Sequence, residues 1–486
     1  MDEWLVHSRI SEMKNVIKKY WKEIIVFAII VLSTLLFQRQ SWGIPLNRDE
    51  GTYAYIASNL FEKDFMPYRD AFDHKPPGIY LVYWLGFRAL GESQYAIRFT
   101  SILASILGSF VFWLITRKLK VRNFDQALMT SSYVYFSNSI LFDGFGSNTE
   151  VYMTTLLGIS LLFYLNSTQG EKTRAVFLTG LFSSLALLMK HVAIFNLILF
   201  PISVYLFNRK HFSKFLRYFL LGAGIPIWVV VYWFLSKGAI YDFWEAVILF
   251  NINYVADGIK TLEDNKSILD FLFKYQWALR VLVVGFIINI VLILKKLKNP
   301  TVLLIFFWSI AYFIAAKFLV CPSMHYYYPL IQGIFLIFAI FFKKRTVKVV
   351  WAYMVLVILF STIKLLTLPP KVLFTTINGS SGENAYLYKE LGETIKENTD
   401  LNDTVFVTLF DQPQLLFYSS RKSPTRYLYS QAAKLSDYTN ELNLAIDKKP
   451  RYVVAYDNWL TPEIKESLQK SYVKLPGSKV PTYKLK

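Results

Sequence analysis

EIIVFAIIVLSTLLF (Glu23–Phe37) is followed closely by NRDEGTY (Asn47–Tyr53). After its leading Glu23 the first stretch is a predominantly apolar run with the length of a short membrane span. The second opens a loop that continues to Asp70-Ala71-Phe72-Asp73-His74-Lys75-Pro76-Pro77 and carries Asp49, Glu50, Asp70, Asp73, His74 and Lys75. Charges this dense beside a bilayer are costly unless they face water or a bound ligand. The rest of the chain extends the pattern. It has 486 residues, 54% of them hydrophobic and 17% aromatic, against roughly 45–50% apolar in soluble domains. The excess lies in runs long enough to cross a membrane, so the class is a polytopic α-helical membrane protein. The formal net charge of +19 sits in short clusters between those runs. That pattern indicates cytoplasmic loops rather than nucleic-acid binding. A single cysteine, Cys321, excludes an internal disulfide and any cysteine-built metal site.

Eleven spans are expected, near 23–37, 95–116, 124–141, 150–166, 175–189, 192–207, 217–235, 277–294, 301–317, 326–342 and 348–366. They place every basic cluster on one side: Lys14 to Lys22, Arg117 to Arg122, Lys172/Arg174, Arg209 to Arg217, Lys295 to Lys298 and Lys343 to Lys348. By the positive-inside rule that side is cytoplasmic, and so is the N-terminus. No A-x-A site follows the first run, so a retained first span is expected rather than a cleaved signal. Counting Pro76–Gly91 as a span would invert all later loops. It is expected instead to lie in the membrane interface, with Tyr80, Tyr83 and Trp84 at headgroup depth. Gly51–Phe61 should form a second short helix with Asp49 and Glu50 at its N-terminus. After Leu368-Pro369-Pro370 the chain turns soluble in character. Strands are expected at Thr404–Leu409 and Arg451–Tyr456, with helices at 384–398, 412–420 and 431–448. The expected division is therefore a transmembrane catalytic domain, 1–370, and a small extracytoplasmic α/β domain, 371–486.

This topology gathers the polar motifs on the outer face, and each also has a structural reading. Asp49-Glu50 can supply a general base or simply complement a helix dipole. The prolines after His74-Lys75 fix the preceding backbone and aim the lysine, as an anion ligand requires, or they start a helix while Lys75 snorkels. Asp143 and Glu150 flank a turn that needs an N-cap, and both are candidates for a metal or for support of the site. Lys190-His191 breaks an apolar stretch at its outer end, where a phosphate contact competes with snorkelling. His325-Tyr326-Tyr327-Tyr328-Pro329 lines a lipid-phosphate pocket or forms an aromatic belt. No nucleotide-binding glycine loop, zinc-protease motif or Ser-His-Asp signature is present.

Taken together, Asp49-Glu50-Gly51-x-Tyr53, Asp70-x-x-Asp73-x-Lys75-Pro76-Pro77, Arg98, Asn148-x-Glu150, Lys190 and His325-Tyr326-x-x-Pro329 resemble the GT-C membrane glycosyltransferases. The branch is that of the protein O-mannosyltransferases and the lipid A aminoarabinose transferase, and the resemblance spans about 20–370. It implies an inverting transfer of a sugar from a polyprenyl- or dolichyl-phosphate donor, on the outer face of the cell membrane. The acceptor would be a protein hydroxyl, a glycolipid or a cell-surface glycan. Asp49 takes the role of base, with Glu50 beside it. Lys75, Lys190 and Tyr326 take donor-binding roles, and His74, Tyr53, Asp73, Arg98, His191 and His325 complete the substrate site. The chain departs from the family at Lys75, where the eukaryotic mannosyltransferases have histidine, and at His74, where the aminoarabinose transferase has an acid. The motifs require no cofactor beyond the lipid-linked sugar, and a divalent metal stays open. The rival readings are a flippase for polyprenyl-linked sugars and an oligosaccharide ligase using diphosphate donors.

Overall fold

The computed structural model describes residues 2–139, 144, 146–167, 170–256, 287, 299–317, 324–342, 348–349, 351–352, 356, 367, 369, 371–372, 380–407, 412–428, 438–455 and 460–486. The first long helix, α1 (Asp2–Gln38), kinks at Tyr20. Two short helices follow, α2 (Arg48–Asn59) and α3 (Gly78–Leu90). Then come α4 (Gln94–Lys118), α5 (Asn123–Ser137), α6 (Thr149–Asn166), α7 (Thr173–Leu187), α8 (Ile194–Phe207) and α9 (Phe212–Ser236). Next are α10 (Ile240–Trp244), which runs into a π-helical turn at Glu245–Leu249, α11 (Pro300–Lys317) and α12 (Tyr328–Phe341). Each expected span on described residues coincides with one of these helices to within a few residues, while 277–294 and 348–366 fall largely outside them. Among the described residues, Tyr20–Gln38, Gln94–Lys118 and Arg209–Ser236 are long and apolar enough to cross a membrane, and shorter apolar helices accompany them.

Small residues set the packing. Gly180 on α7 and Gly222 on α9 lie against carbonyls of Phe219 and Phe177 on the opposite helix, where a Cβ would overlap backbone. Such close approach gains van der Waals contact where lipid offers no hydrophobic drive. The outward faces are apolar: Leu32 on α1 and Trp228 and Tyr232 on α9 are exposed.

The helix at Gly78–Leu90 differs from its expected setting. Tyr80 and Tyr83 are fully buried in protein rather than facing outward to lipid headgroups. Their hydroxyls donate to Asp73 Oδ2 (2.8 Å) and to the Ser147 carbonyl (2.7 Å). A buried tyrosine hydroxyl needs an acceptor, and the adjoining loops supply both. Leu81, Leu85 and Leu90 occupy the exposed face instead, and Trp84 is half-buried.

The tail contains α13 (Ser380–Glu397), β1 (Val405–Val407), α14 (Gln414–Ser419), α15 (Tyr438–Asp447), β2 (Tyr452–Val454), α16 (Pro462–Ser471), β3 (Tyr472–Lys474) and β4 (Thr482–Leu485). The sheet order is β1-β2-β4-β3. The β1–β2 pair is parallel, and the other two pairs are antiparallel. The tail rests on the first loop. Tyr418 Oη accepts from Leu46 N (2.8 Å) and donates to Gln94 Oε1 (3.0 Å). Phe72 N donates to the Arg426 carbonyl (2.7 Å), and Gly51 packs directly on the backbone of Gln414.

Candidate active site

The site begins with the cap of α2. Asn47 Oδ1 accepts from Glu50 N (2.9 Å) and Glu50 Oε2 accepts from Asn47 N (3.0 Å), a capping box that fixes the first turn. Glu50 then points inward, where its carboxylate pairs with both Arg98 Nη atoms and accepts from Ser147 N (2.6 Å). Successive helical residues diverge by roughly 100°, so Asp49 faces a different direction from Glu50. It keeps some solvent exposure and pairs with Arg48 Nε (3.0 Å). Burial raises its pKa, but the charges of Arg48, Lys75 and His325 outweigh burial and hold the carboxyl well below the usual range. Asp49 is therefore ionised and shares its field with Lys75 and His325, far away in sequence.

Lys75 is held by its backbone and by its neighbour. Its carbonyl accepts from Tyr68 Oη (2.8 Å), and Asp73 Oδ1 accepts from His74 N (2.7 Å). The Nζ lies 2.8 Å from His74 Nε2. On the other side of the ring, His74 Nδ1 lies 2.9 Å from Asn251 Oδ1. Burial, then the Lys75 charge, pushes the His74 pKa well below its ordinary value, so the ring is neutral. Among the described residues no carboxylate lies within 4.0 Å of Lys75 Nζ. A buried ammonium with no carboxylate in contact is costly, and its nearest compensating charge is the field of Asp49.

The third component joins three more segments. Lys190, extended just beyond α7, pairs with Glu150 in the first turn of α6 and lies over the Tyr326 ring at 3.9 Å. Glu150 also accepts from Thr149 Oγ1 (2.9 Å) and lies 3.9 Å from His325 Nε2. His191 is half-buried, within electrostatic reach of His74 and Lys75. Burial, then those two groups, pushes its pKa down to about 3, and its Nε2 has no hydrogen-bond partner.

Of the residues singled out from sequence, Asp49, Tyr53, His74, Lys75, Glu150, Lys190, His325 and Tyr326 come within electrostatic reach of one another. Others take different places. Glu50 and Arg98 are buried together, with the carboxylate and both Nη atoms bonded to each other and to loop backbone, which ties the loop to α4, while Arg98 Nε has no hydrogen-bond partner. Asp73 is likewise buried under Tyr80 and the His74 amide. Asp143 lies outside the described residues. Among the described residues no three His, Cys, Asp or Glu side chains converge as a metal site, and Glu150 is committed to Lys190 and Thr149. Two further residues carry weaker sequence signals: Arg48, marked only by its neighbouring acid, and Asn251, one of two asparagines in the apolar stretch Ile248–Val255 with no motif to mark it.

Residues 74–233 match the family model described as dolichyl-phosphate-mannose-protein mannosyltransferase. The match includes Lys75, Glu150 and Lys190 and leaves out Asp49 and His325. No curated protein matches the sequence at a significant level. Among solved structures, ArnT from Cupriavidus metallidurans bound to undecaprenyl phosphate superposes with a TM-score of 0.61 at 14% identity, over 95% of this chain and 97% of that one. The Archaeoglobus fulgidus oligosaccharyltransferase tethered with an acceptor peptide gives 0.54 at 11% identity, over 97% of this chain and 74% of that one. The AglB structure from the same organism, in complex with an inhibitory peptide and a dolichol-phosphate, gives 0.53 at 11% identity, with 97% and 75% covered. At these identities the likeness is one of fold. Residues 74–233 are thus similar to the dolichyl-phosphate-mannose-protein mannosyltransferase family, in a chain with the fold seen in ArnT and the archaeal oligosaccharyltransferase.

Proposed function

We propose that this chain is an inverting glycosyltransferase that takes a sugar from a polyprenyl- or dolichyl-phosphate donor and passes it to an acceptor hydroxyl. The reaction takes place on the outer face of the cell membrane, with the N-terminus cytoplasmic and the tail outside. One observation carries the reading. A buried lysine ammonium without a carboxylate partner, Lys75, shares a site with an ionised and partly accessible carboxylate, Asp49. The undecaprenyl phosphate and dolichol-phosphate bound in the ArnT and AglB structures support a lipid phosphate as the anion.

The chemistry follows from these roles. Asp49 accepts the acceptor's proton as its oxygen attacks the anomeric carbon, on the side opposite the phosphate. The carbon–oxygen bond to the lipid phosphate breaks with its electron pair, and the released phosphate gains negative charge. Lys75 stabilises that charge as it forms, with Lys190 beside it, in a site where water screens little. A single displacement inverts the anomeric centre. Asp49 then returns the proton to solvent through its exposed edge.

The test supplies the purified protein in nanodiscs with radiolabelled undecaprenyl- and dolichyl-phosphate sugars, and separately with a diphosphate-linked oligosaccharide. Consumption of a monophosphate donor that Lys75→Ala abolishes is expected. Consumption of the diphosphate donor instead would favour the ligase reading. Equal activity in Lys75→Ala and wild-type protein would overturn the phosphate assignment.

A further inference from the structure

The π-helical turn Glu245–Leu249 widens the helix just before Phe250 and Asn251. Such turns recur at functional sites because they redirect a side chain and free backbone carbonyls. Here Asn251 Nδ2 lies 3.2 Å from the Ala246 carbonyl and 3.1 Å from that of Val247, and it also donates to the His74 carbonyl (2.8 Å). Three carbonyl partners fix which end of the amide is NH₂. Oδ1 must therefore face His74 Nδ1, at 2.9 Å.

That orientation determines the proton on the histidine. An amide oxygen only accepts, so Nδ1 carries the hydrogen and, in a neutral ring, Nε2 carries the lone pair. Lys75 Nζ, 2.8 Å away, has only N–H groups to offer and needs that lone pair. The opposite tautomer would set an N–H against an ammonium. We infer that Asn251 is a positioning residue for the donor phosphate: it fixes the His74 tautomer that anchors one Lys75 N–H and leaves two for the phosphate oxygens. This rests on the reading of Lys75 as the phosphate ligand. It also accounts for a histidine at position 74, where an acid would neutralise the lysine.

The experiment measures undecaprenyl phosphate affinity in nanodiscs for wild type, Asn251→Leu, His74→Phe and the double variant, alongside ¹⁵N spectra of histidine-labelled protein. Asn251→Leu should lose the Nδ1–H tautomer at His74 and weaken binding roughly tenfold or more, as expected when a hydrogen bond to a charged group is misplaced. The double variant should bind no worse than His74→Phe, because both act through one relay. An unchanged tautomer in Asn251→Leu, or additive losses, would overturn the inference. If Asn251→Leu does not fold, Asn251→Asp serves in its place. Its charge, adding to that of Asp49, would raise the His74 pKa against the fields of Lys75 and Lys190, with the neutral ring of His191 alongside. Binding should then fall as the pH drops, and pH-independent binding would overturn the inference. Lys75→Ala separates the two levels. Wild-type affinity in Lys75→Ala defeats the phosphate reading itself. Affinity lost there but retained in Asn251→Leu defeats only the role of Asn251.

Discussion

Replacing Arg98 by methionine tests whether the first outer loop is held by one buried ion pair. Arg98 is fully buried, and its Nη2 lies 3.1 Å from Glu50 Oε2 and 3.3 Å from the Ile44 carbonyl. Methionine fills much of the volume but leaves a buried carboxylate with only the amides of Asn47 and Ser147 as partners. Breaking a buried pair from one side costs about 3–5 kcal/mol, and the two retained N–H bonds place Arg98→Met near the lower end. Glu50→Leu should cost at least as much, since it strands the guanidinium and removes the acceptor of both amides, each worth about 1–3 kcal/mol when buried. Combining the two removes both charges and leaves mainly those two amides without their acceptor. The double variant should therefore be less destabilised than the sum of the single variants by about 3 kcal/mol. Denaturant titration in detergent, read by tryptophan fluorescence, measures all three. An Arg98→Met loss below about 0.5 kcal/mol, or strict additivity, would refute the clamp.

The other expectations concern the site and its support. Asp49→Asn should lower sugar transfer by about 10²–10⁴-fold with little change in donor affinity; near-normal transfer would remove the base assignment. Lys75→Ala should weaken donor use far more than Lys75→Arg, which keeps the charge on a bulkier fork; steady-state kinetics with a defined donor separates them. His191 has a folded pKa of about 3, below its unfolded value, so the unfolded chain binds the extra proton as the pH falls. Its contribution to stability is intact above about pH 6.5 and is lost as the pH drops towards 3, by at most about 2 kcal/mol at pH 5. Unfolding at pH 7.5 and pH 5, with and without His191→Phe, should show a smaller pH effect in the variant. Gly51→Ala would press a methyl group into the Gln414 backbone. It should loosen the tail by about 1–3 kcal/mol, and unchanged hydrogen-exchange protection over 412–420 would contradict that contact.

Much of the architecture was legible because its signals are local. A bilayer demands continuous apolar runs, and a run such as Gln94–Lys118 announces itself without any partner. The helix at Arg48–Asn59 and the buried strands Val405–Val407 and Tyr452–Val454 were visible for the same reason. The strands Tyr472–Lys474 and Thr482–Leu485 were not. They are short, carry lysines and are only partly buried, and they exist because each pairs with a neighbour.

The candidate site divides along the same line. The residue types alone picked out Asp49, Lys75, Lys190 and His325, since charges beside apolar spans are rare and costly. Composition could not say which way each side chain turns. Asp49 and Glu50 are adjacent acids on one helix, yet one faces the site and the other is sealed against Arg98, because helical rotation separates them and a distant segment supplies the counter-charge. Lys75 and Lys190 looked alike in sequence. In the folded chain Lys190 is neutralised by Glu150, 40 residues away, while Lys75 Nζ meets the lone pair of His74 and, among the described residues, no carboxylate in contact. Asn251, 177 residues from His74, carries no motif. Local chemistry determines which residues can act, and only long-range packing decides which charges are cancelled and which are left for a ligand.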